Sequence, residues 1–304
     1  MKQKISFIGQ GWIGKNYADD FENRGFKVVR YSLEEPHINN GDKIKSCDVV
    51  FIAVPTPTTP KGFDASILRQ ALKKVGKGKI AVIKSTLLPG TTEKLQKENK
   101  NIYVLHSPEF LTEATAARDA ANPNRNIIGV PLQTKTYEKK AKVVLSLLPR
   151  APYELICKAS EAELIKYAGN NWFYLKVVFV NMLYDLAGAI GASYDVVREG
   201  MSKDYRIGVS HLIPVHRSGT LGSDNFNVKN KVKGGGRGAG GHCFIKDFAA
   251  FVELYKKTLP KDRKGLAALK AFEEKNIELL TKSRKDLDLL AGVYGEGVVG
   301  EKLK

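Results

Sequence analysis

Ile5-Ser6-Phe7-Ile8-Gly9-Gln10-Gly11-Trp12-Ile13-Gly14 is the stretch that decides the fold. Its first four residues predict a short buried strand, and its last six form a GxGxxG motif that ends the strand and opens a helix. The glycines allow a tight turn and let a pyrophosphate reach the helix N-terminus, where N–H groups and the helix dipole favour an anion. A glycine turn without a ligand is the alternative, but the position after a first strand favours a dinucleotide site.

Apolar runs recur after this motif, separated by helical patterns. The runs that predict further strands lie at residues 27–30, 49–54, 80–83, 102–105 and 127–128. Strands that alternate with helices predict a parallel sheet with helices on both faces. We therefore predict an α/β fold, with a Rossmann-type doubly wound parallel sheet in a dinucleotide-binding domain of residues 1–155.

The second half of the sequence has a helical pattern. Ser160 and Glu163 match a capping box, no proline occurs from Glu161 to about Ile190, and Gly191 is a plausible stop. A helix of roughly thirty residues would be about 45 Å long, which is typical of a domain spine or a subunit interface. Further helices are predicted at residues 246–255 and 265–290. Residues 156–304 are therefore predicted to form an all-helical central domain with a long spine helix.

The chain of 304 residues carries a net charge of +17, with 43 % hydrophobic and 27 % charged residues. Lys and Arg are spread along the whole chain, and aromatic residues do not interleave with them as a stacking platform requires. A basic surface, or a site for an anionic metabolite, is therefore favoured over nucleic-acid binding. No long apolar run is present, so no membrane span is expected.

Cysteine and histidine usage bears on compartment and metals. Cys47, Cys157 and Cys243 lie far apart, in neither a disulfide framework nor a zinc spacing, and the histidines show no metal spacing. The N-terminus enters a strand at once, so no signal peptide is expected. The sequence therefore predicts a cytoplasmic protein without a metal site.

Cys243 follows the glycine-rich run Gly234-Gly235-Gly236-Arg237-Gly238-Ala239-Gly240-Gly241. Such a run is either a flexible linker or a place where backbone approaches a ligand closely. A buried structural cysteine is the ordinary interpretation. A cysteine in a glycine loop just before a helix, however, can have its thiolate favoured by N–H groups and nearby cations. Asp247 lies four residues further on, which is one turn away if the helix has begun.

Lys166 and Asn170 are spaced i, i+4 on the predicted spine helix, and Val177 and Asn181 continue the stripe. A lysine in a stripe otherwise made of Asn and Val is less common than one on a solvated face. A lysine taken alone is nevertheless more often solvated.

The end of the second predicted strand bears on the cofactor. An acidic residue for the ribose hydroxyls is expected there, but the sequence reads Arg30-Tyr31-Ser32. Ser32 takes the acidic position, and Glu34 lies just beyond. Because a serine beside an arginine tolerates a 2′-phosphate, NADP is an alternative to NAD.

Taken together, the residues resemble the UDP-glucose/GDP-mannose dehydrogenase family. Six ordered blocks carry the resemblance, at residues 9–14, 54–58, 84–91, 107–113, 163–170 and 240–247. The specific ones are Ser107-Pro108-Glu109-Phe110-Leu111-Thr112-Glu113 and Gly240-Gly241-His242-Cys243-Phe244-Ile245-Lys246-Asp247. The matched blocks extend from the N-terminal strand into the predicted C-terminal helices.

The resemblance implies a four-electron oxidation of a nucleotide sugar by two NAD molecules in turn. The C6 alcohol becomes an aldehyde, Cys243 attacks it to give a thiohemiacetal, and a second hydride transfer gives a thioester that water hydrolyses. A thiolate is well suited to attack a held aldehyde. UDP-glucose is the substrate that the resemblance favours, with a UDP-N-acetylhexosamine or GDP-mannose as alternatives.

The resemblance also implies roles for individual residues. Lys166 and Asn170 would stabilise the oxyanion. Asp247 with Thr86 would hold a water and help to take the alcohol proton, and Glu109 would be the base for thioester hydrolysis. The implied cofactor-binding residues are Gly9, Gln10, Gly11, Trp12, Ile13, Gly14, Ser32, Pro55, Thr56, Ser85, Thr86 and Glu113. The implied substrate-binding residues are Glu109, Phe110, Leu111, Lys166, Asn170, Arg206 and Gly240.

A homodimer built on the helix of residues 161–190 is expected, with Arg206 reaching the nucleotide sugar of the other subunit. The family normally continues into a third, nucleotide-binding domain, and this sequence shows no strand–helix series for it. We therefore expect that domain to be absent from the chain.

Three interpretations of function follow. An active enzyme is favoured because every catalytic position carries a chemically competent residue. A binding or assembly protein of the same fold, with weak or no turnover, is the alternative, since without the third domain water exclusion would be poor. A two-electron 3-hydroxyacid dehydrogenase is the third, in which Cys243 has no role.

Overall fold

A computed structural model describes residues 3–218 and 235–300 of the chain. The strands are β1 (Ile5–Ile8), β2 (Val28–Tyr31), β3 (Val49–Ile52), β4 (Thr58–Thr59), β5 (Gly62–Phe63), β6 (Ile80–Ile83), β7 (Tyr103–His106), β8 (Arg125–Val130), β9 (Tyr153–Lys158), β10 (Val215–His216) and β11 (Gly236–Arg237). The helices are α1 (Trp12–Asn23), α2 (Ser66–Leu72), α3 (Thr91–Glu98), α4 (Ala116–Ala121), α5 (Lys135–Leu147), α6 (Ala159–Ala189), α7 (Tyr194–Ser202), α8 (Gly241–Thr258), α9 (Arg263–Lys282), α10 (Leu287–Tyr294) and α11 (Gly297–Gly300). Two 3-10 helices lie at Ile38–Ser46 and Glu113–Thr115.

The chain divides into two compact units. The first consists of residues Met1–Pro57 and Asp64–Lys166, and the second of Thr58–Phe63 and Tyr167–Lys304. The division therefore falls inside α6, and a six-residue segment near the N-terminus belongs to the second unit. The domain boundary predicted after residue 155 stays a prediction.

A seven-stranded sheet, in the order β2-β1-β3-β6-β7-β8-β9, organises the first unit. The strands from β2 to β7 are parallel, β8 is antiparallel to β7, and β9 is parallel to β8. The chain order reverses between β1 and β3, and ligands of such sheets bind at the carboxyl ends of the strands beside this reversal. The predicted Rossmann-type fold class is confirmed.

Three aromatic rings anchor the core of the first unit around β1. Phe7 and Phe51 are register partners on β1 and β3, and their rings stack with centroids 4.8 Å apart. Phe21 of α1 packs on both rings edge-on, at 5.2 Å from each. All three side chains are buried, so the helix that follows the glycine motif is fixed against the sheet. Aromatic contacts of this geometry add to the free energy gained by burial.

The described part of the second unit is mostly helical rather than all-helical as predicted, because it also carries two short antiparallel strand pairs, β4–β5 and β10–β11. The long helix α6 ends at Ala189, close to the predicted Ile190, and Gly191 has the left-handed φ of +74° that stops it. Tyr174 of α6 stacks on Phe248 of α8 with centroids 3.8 Å apart. Within this unit β4 packs on α8 and α10.

The start of α6 corrects one prediction. The capping box of Ser160 and Glu163 is not formed, because α6 begins at Ala159 and both residues lie inside the helix. The Glu163 carboxylate instead accepts hydrogen bonds from the backbone N–H groups of Gly90 (2.7 Å) and Thr92 (2.8 Å), at the N-terminus of α3. Glu163 therefore caps α3 rather than its own helix. Burial raises the pKa of Glu163 to about 8, against the hydrogen bonds from Thr92 and Gly90 that lower it.

Three further elements differ from the sequence predictions. The edge strand β9 was not predicted, and the single helix expected at residues 265–290 is two helices, α9 and α10, separated by a turn. Helix α8 also begins at Gly241, five residues before the predicted start. Cys243 consequently lies inside the first turn of a helix.

Candidate active site

The glycines of the motif have two different structural roles. Gly9 has a φ of +90°, and a Cβ on it would lie 2.2 Å from the carbonyl oxygen of Ala53. A Cβ on Gly14 would lie 1.9 Å from the carbonyl oxygen of Gly9. A Cβ on Gly11 would meet nothing within 4 Å, and no side chain caps α1 there. Gly9 and Gly14 therefore build the turn, whereas the space at Gly11 and the uncapped helix N-terminus fit a dinucleotide phosphate.

The loops that follow β3 and β6 are tied together beside this turn. The Ser85 hydroxyl donates to the carbonyl oxygen of Val54 (2.7 Å) and accepts from its N–H (3.0 Å). The Thr56 hydroxyl donates to the carbonyl oxygen of Thr86 (2.8 Å). Because both loops leave the carboxyl ends of neighbouring parallel strands, Thr56, Ser85 and Thr86 lie where the fold places its ligands.

The residues at the end of β2 have defined partners. Ser32 follows the strand directly, and its hydroxyl donates to the carbonyl oxygen of Glu34 (2.8 Å). The Arg30 guanidinium contacts the carboxylates of Asp19 and Glu22, each at 2.6 Å. The positive charge of Arg30 is thus matched by two carboxylates of α1.

Lys166 and Glu109 form a buried ion pair in the first unit. The ammonium nitrogen lies 2.8 Å from the carboxylate, and the side chains are only 7 % and 5 % exposed. Burial alone would raise the pKa of Glu109, but the charge and hydrogen bond of Lys166 outweigh it and hold that pKa below its ordinary value. The N–H of Leu111 donates to the same carboxylate (2.8 Å). Lys166 is therefore not the solvated lysine of the ordinary interpretation.

Lys84 is a candidate functional residue that the sequence analysis missed. It is 3 % exposed, its ammonium lies 4.2 Å from the ring centroid of Tyr17, and it donates to the Ser107 hydroxyl (3.2 Å). Burial lowers the pKa of Lys84 to about 7, against the attraction of Glu109 and with the repulsion of Lys166. The available signal was its place directly after the four buried residues of β6.

Cys243 and its neighbours form the corresponding cluster of the second unit. Cys243 is exposed in the first turn of α8, and Asp247 lies one turn further on with a fully buried side chain. The amide of Asn170 donates to one carboxylate oxygen of Asp247 (2.6 Å), and Lys246 pairs with the other oxygen. The N–H groups of a first helical turn stabilise negative charge, which suits a reacting thiolate.

The structure thus places Glu109, Thr86 and Lys166 in the first unit, and Asn170, Cys243 and Asp247 in the second. Lys166 and Asn170 lie one turn apart on α6, as their spacing predicted. The side chains of Pro55, Glu113 and Arg206 are exposed, and Arg206 pairs with Asp204 beside it. Gly234 lies outside the described residues. The catalytic and binding roles of the predicted site residues stay predictions.

Within residues 3–218 and 235–300, no helix has the length and apolar character needed to cross a membrane. The same ranges hold no group of three or more His, Cys, Asp or Glu residues arranged to hold a metal ion. The cytoplasmic location stays a prediction.

A mostly parallel sheet with a dinucleotide turn, and a helical unit in which a thiol lies one helical turn before a buried carboxylate, are features typical of nicotinamide-dependent dehydrogenases. The chain belongs to the UDP-glucose/GDP-mannose dehydrogenase family. Residues 30–145 match the NAD binding domain of that family, and residues 160–220 match its central domain. Members of the family are NAD-dependent nucleotide-sugar dehydrogenases.

Individual relatives support the assignment over most of the chain. A UDP-glucose 6-dehydrogenase of Haloferax volcanii is 27 % identical, over 94 % of this chain and 73 % of its own length. One from Rickettsia bellii is 28 % identical, over 100 % of this chain and 63 % of its own length. The structure of a UDP-glucose dehydrogenase from Pyrobaculum islandicum superposes with a TM-score of 0.72 at 26 % identity, covering 96 % of this chain and 71 % of the other. The chain therefore spans about two thirds of the length of these three relatives.

Proposed function

We propose that the chain oxidises the C6 alcohol of a nucleotide sugar to a carboxylate with NAD, through a thioester on Cys243. The observation that carries this proposal is the thiol in the first turn of α8, one turn before a buried Asp247 that Asn170 holds by a hydrogen bond. UDP-glucose, which gives UDP-glucuronate, is the proposed substrate because the relatives described above are named for it.

The first oxidation needs a base and a hydride acceptor. NAD supplies the acceptor in each of the two oxidations. Asp247, which Asn170 holds by a hydrogen bond, is proposed to take the hydroxyl proton. Loss of that proton and of a hydride from C6 leaves an aldehyde at C6.

The second oxidation uses covalent catalysis. The Cys243 sulfur attacks the aldehyde carbon, so that a C–S bond forms and the carbonyl oxygen becomes an alkoxide. Lys166 and Asn170 are proposed to stabilise that oxyanion by charge and by an amide N–H. Loss of a second hydride from the same carbon regenerates the C=O bond and gives the thioester.

Hydrolysis then releases the product. Glu109 is proposed to take a proton from the attacking water, and the C–S bond breaks to return the Cys243 thiolate. A base must be ionised to act, and Lys166 keeps the pKa of Glu109 below its ordinary value. Glu109 is therefore ionised at neutral pH, as a base must be, although its lowered pKa makes it a weaker base than an ordinary carboxylate.

NAD rather than NADP is the proposed cofactor. A 2′-phosphate needs a cation beside the ribose, and Arg30 was the residue expected to supply it. Its guanidinium instead contacts Asp19 and Glu22 at 2.6 Å each, so two negative charges surround the position. A third negative group would be repelled by these carboxylates.

A homodimer is proposed on the exposed face of α6. Trp172, Phe179 and Leu186 are spaced seven residues apart on this helix, and their side chains are 62 %, 48 % and 56 % exposed. An apolar stripe of this kind is typical of a protein interface. In such a dimer the exposed Arg206 is proposed to reach the nucleotide sugar of the partner.

The test is the number of NADH molecules formed per sugar consumed. UDP-glucose, UDP-N-acetylglucosamine and GDP-mannose are each incubated with NAD or NADP, and NADH and acid are quantified. Two NADH per UDP-glucuronate are expected. Cys243→Ser should abolish acid formation, whereas the matched control Cys157→Ser should not. Wild-type acid production by Cys243→Ser would overturn the thioester, and no NADH with any sugar would favour the binding or assembly protein.

A further inference from the structure

The glycine-rich loop before Cys243 is held by side chains of residues 276–286, all within the second unit. The Asn276 amide, 1 % exposed, forms two hydrogen bonds with the backbone of Ala239. Its oxygen accepts from the Ala239 N–H (2.6 Å) and its nitrogen donates to the Ala239 carbonyl (3.0 Å). This pairing fixes both backbone polar groups of Ala239, as a neighbouring strand would.

Lys285 and Asp286 form hydrogen bonds with the loop on either side of Ala239. The buried Lys285 ammonium donates to the carbonyl oxygen of Gly238 (2.9 Å) and lies 3.1 Å from Nε2 of His216. One carboxylate oxygen of Asp286 accepts from the N–H of Gly241 (2.8 Å) and from the hydroxyl of Ser218. Gly241 is the first residue of α8, so Asp286 caps the helix that carries Cys243.

The glycines of the loop leave the space that these side chains occupy. A Cβ on Gly236 would lie 2.7 Å from the Cβ of Lys285, and one on Gly238 would lie 2.9 Å from the amide oxygen of Asn276. A Cβ on Gly240 would lie 2.0 Å from the Asp286 carboxylate. A flexible linker or a close approach of backbone to a ligand was expected for this run, but at these three positions the approaching groups are the protein's own side chains.

The turn between α9 and α10 contains two residues in a strained backbone conformation. Arg284 and Asp286 have φ values of +54° and +52°, which are rare for residues other than glycine. Asp286 occupies the N-cap position of α10, yet its side chain makes no capping hydrogen bond to that helix. Local strain persists only where surrounding contacts enforce it and is concentrated at functional sites. In this conformation the carboxylate of Asp286 bonds the N-terminus of α8 and not its own helix.

We propose that Asp286 and Lys285 are positioning residues for Cys243: they fix where α8 begins and so set the place of the sulfur. The inference rests on the proposed function of that thiol. A glycine-rich loop has many accessible backbone conformations, and a helix can begin one residue earlier or later when its cap is lost. Cys243 is only two residues beyond the capped N–H, so any change in the helix start displaces it directly.

The experiment compares Asp286→Ala with Asp286→Asn and with Asp288→Asn, an exposed carboxylate two residues further on. Hydrogen exchange is followed by mass spectrometry in the peptides that cover residues 235–243. Exchange there should rise at least about tenfold in Asp286→Ala, and kcat for acid formation should fall at least about tenfold with KM nearly unchanged. Asp286→Asn, which keeps an acceptor, should recover much of both, and Asp288→Asn should match wild type.

A second variant covers the case in which Asp286→Ala does not fold. Lys285→Met keeps the length of the side chain and removes the bond to the Gly238 carbonyl, and it should change exchange and kcat in the same direction. Unchanged exchange in residues 235–243 in both variants would overturn the inference. Raised exchange with wild-type kcat would also overturn it, because the two side chains would then stabilise the loop without any effect on catalysis. The proposed function fails separately, through Cys243→Ser, and the exchange measurement needs no activity.

Discussion

Replacing Lys166 by Met tests the buried ion pair with Glu109 most directly. Methionine keeps the length of the side chain but leaves the Glu109 carboxylate buried without its 2.8 Å partner. Removing one member of a buried pair costs about 3–5 kcal/mol, whereas replacing both members can be nearly neutral. Because the repulsion of Lys166 contributes to the low pKa of Lys84, its removal favours a charged Lys84 as a substitute partner. We therefore expect the lower end, about 3 kcal/mol.

The double variant Lys166→Met/Glu109→Gln removes both charges and should lie within about 1 kcal/mol of wild type. The pH dependence follows from the lowered pKa of Glu109. Its stabilisation is fully present above the ordinary value of 4.5 and is lost as the pH falls through the lowered value of the folded state. The loss caused by Lys166→Met should therefore shrink in acid, and it should be smaller below pH 7, where Lys84 is charged and can replace the missing partner, than at higher pH.

The assay is urea unfolding followed by fluorescence. The chain has two tryptophans, Trp12 in the first unit and Trp172 in the second, so in a Trp172→Phe background the signal reports the first unit. Lys142→Met is the control, because Lys142 and Glu138 pair at 2.6 Å on the surface and should contribute nothing measurable. A loss below about 1 kcal/mol in Lys166→Met, or a double variant as unstable as the single one, would refute the reasoning.

Four further predictions follow from the same geometry. Lys84→Met should stabilise the protein most below pH 7 and less as the pH rises toward 10.5, because the wild-type amine is charged only below its folded pKa of about 7; equal gains at pH 6 and 9 would contradict this. Ser32→Asp should improve NAD use and weaken NADP use, measured by kcat/KM with each. Gly11→Ala should leave the midpoint of unfolding unchanged but weaken NAD binding, while Gly14→Ala, whose Cβ would lie 1.9 Å from a carbonyl oxygen, should lose both. Phe179→Glu should convert the proposed dimer to a monomer by light scattering, and a monomeric wild type would remove that proposal.

The sequence predicted most strands of the sheet but not the edge strand β9. The strands around the glycine motif are short apolar runs because both faces of a parallel sheet are covered, and such runs are recognisable. Strand β9 ends the sheet order, and its residues Tyr153-Glu154-Leu155-Ile156-Cys157-Lys158 are only partly buried. An edge strand with polar residues shows no such run, so it was missed.

The site was predictable where chemistry follows from spacing. Lys166 with Asn170 and Cys243 with Asp247 are each four residues apart, and the structure places each pair one turn apart on a helix. The turn at Ser283-Arg284-Lys285-Asp286 contains neither Gly nor Pro, so the predicted helix ran through it. Tertiary contacts to the glycine loop stop that helix, and a local pattern does not contain them. The role of Glu163 was misread for the same reason, since its partner lies about seventy residues away.

The hairpin β4–β5 constrains how the chain can be divided and how it folds during synthesis. Its six residues belong to the second unit, yet the ribosome makes them before most of the first. They pack within that unit on α8, which is translated much later. If the first unit folds during synthesis, these six residues must therefore remain unpacked until α8 has been made. A gene divided after residue 166 would likewise place the hairpin in the N-terminal half. Separate expression of the two units therefore requires residues 58–63 to be joined to the C-terminal half.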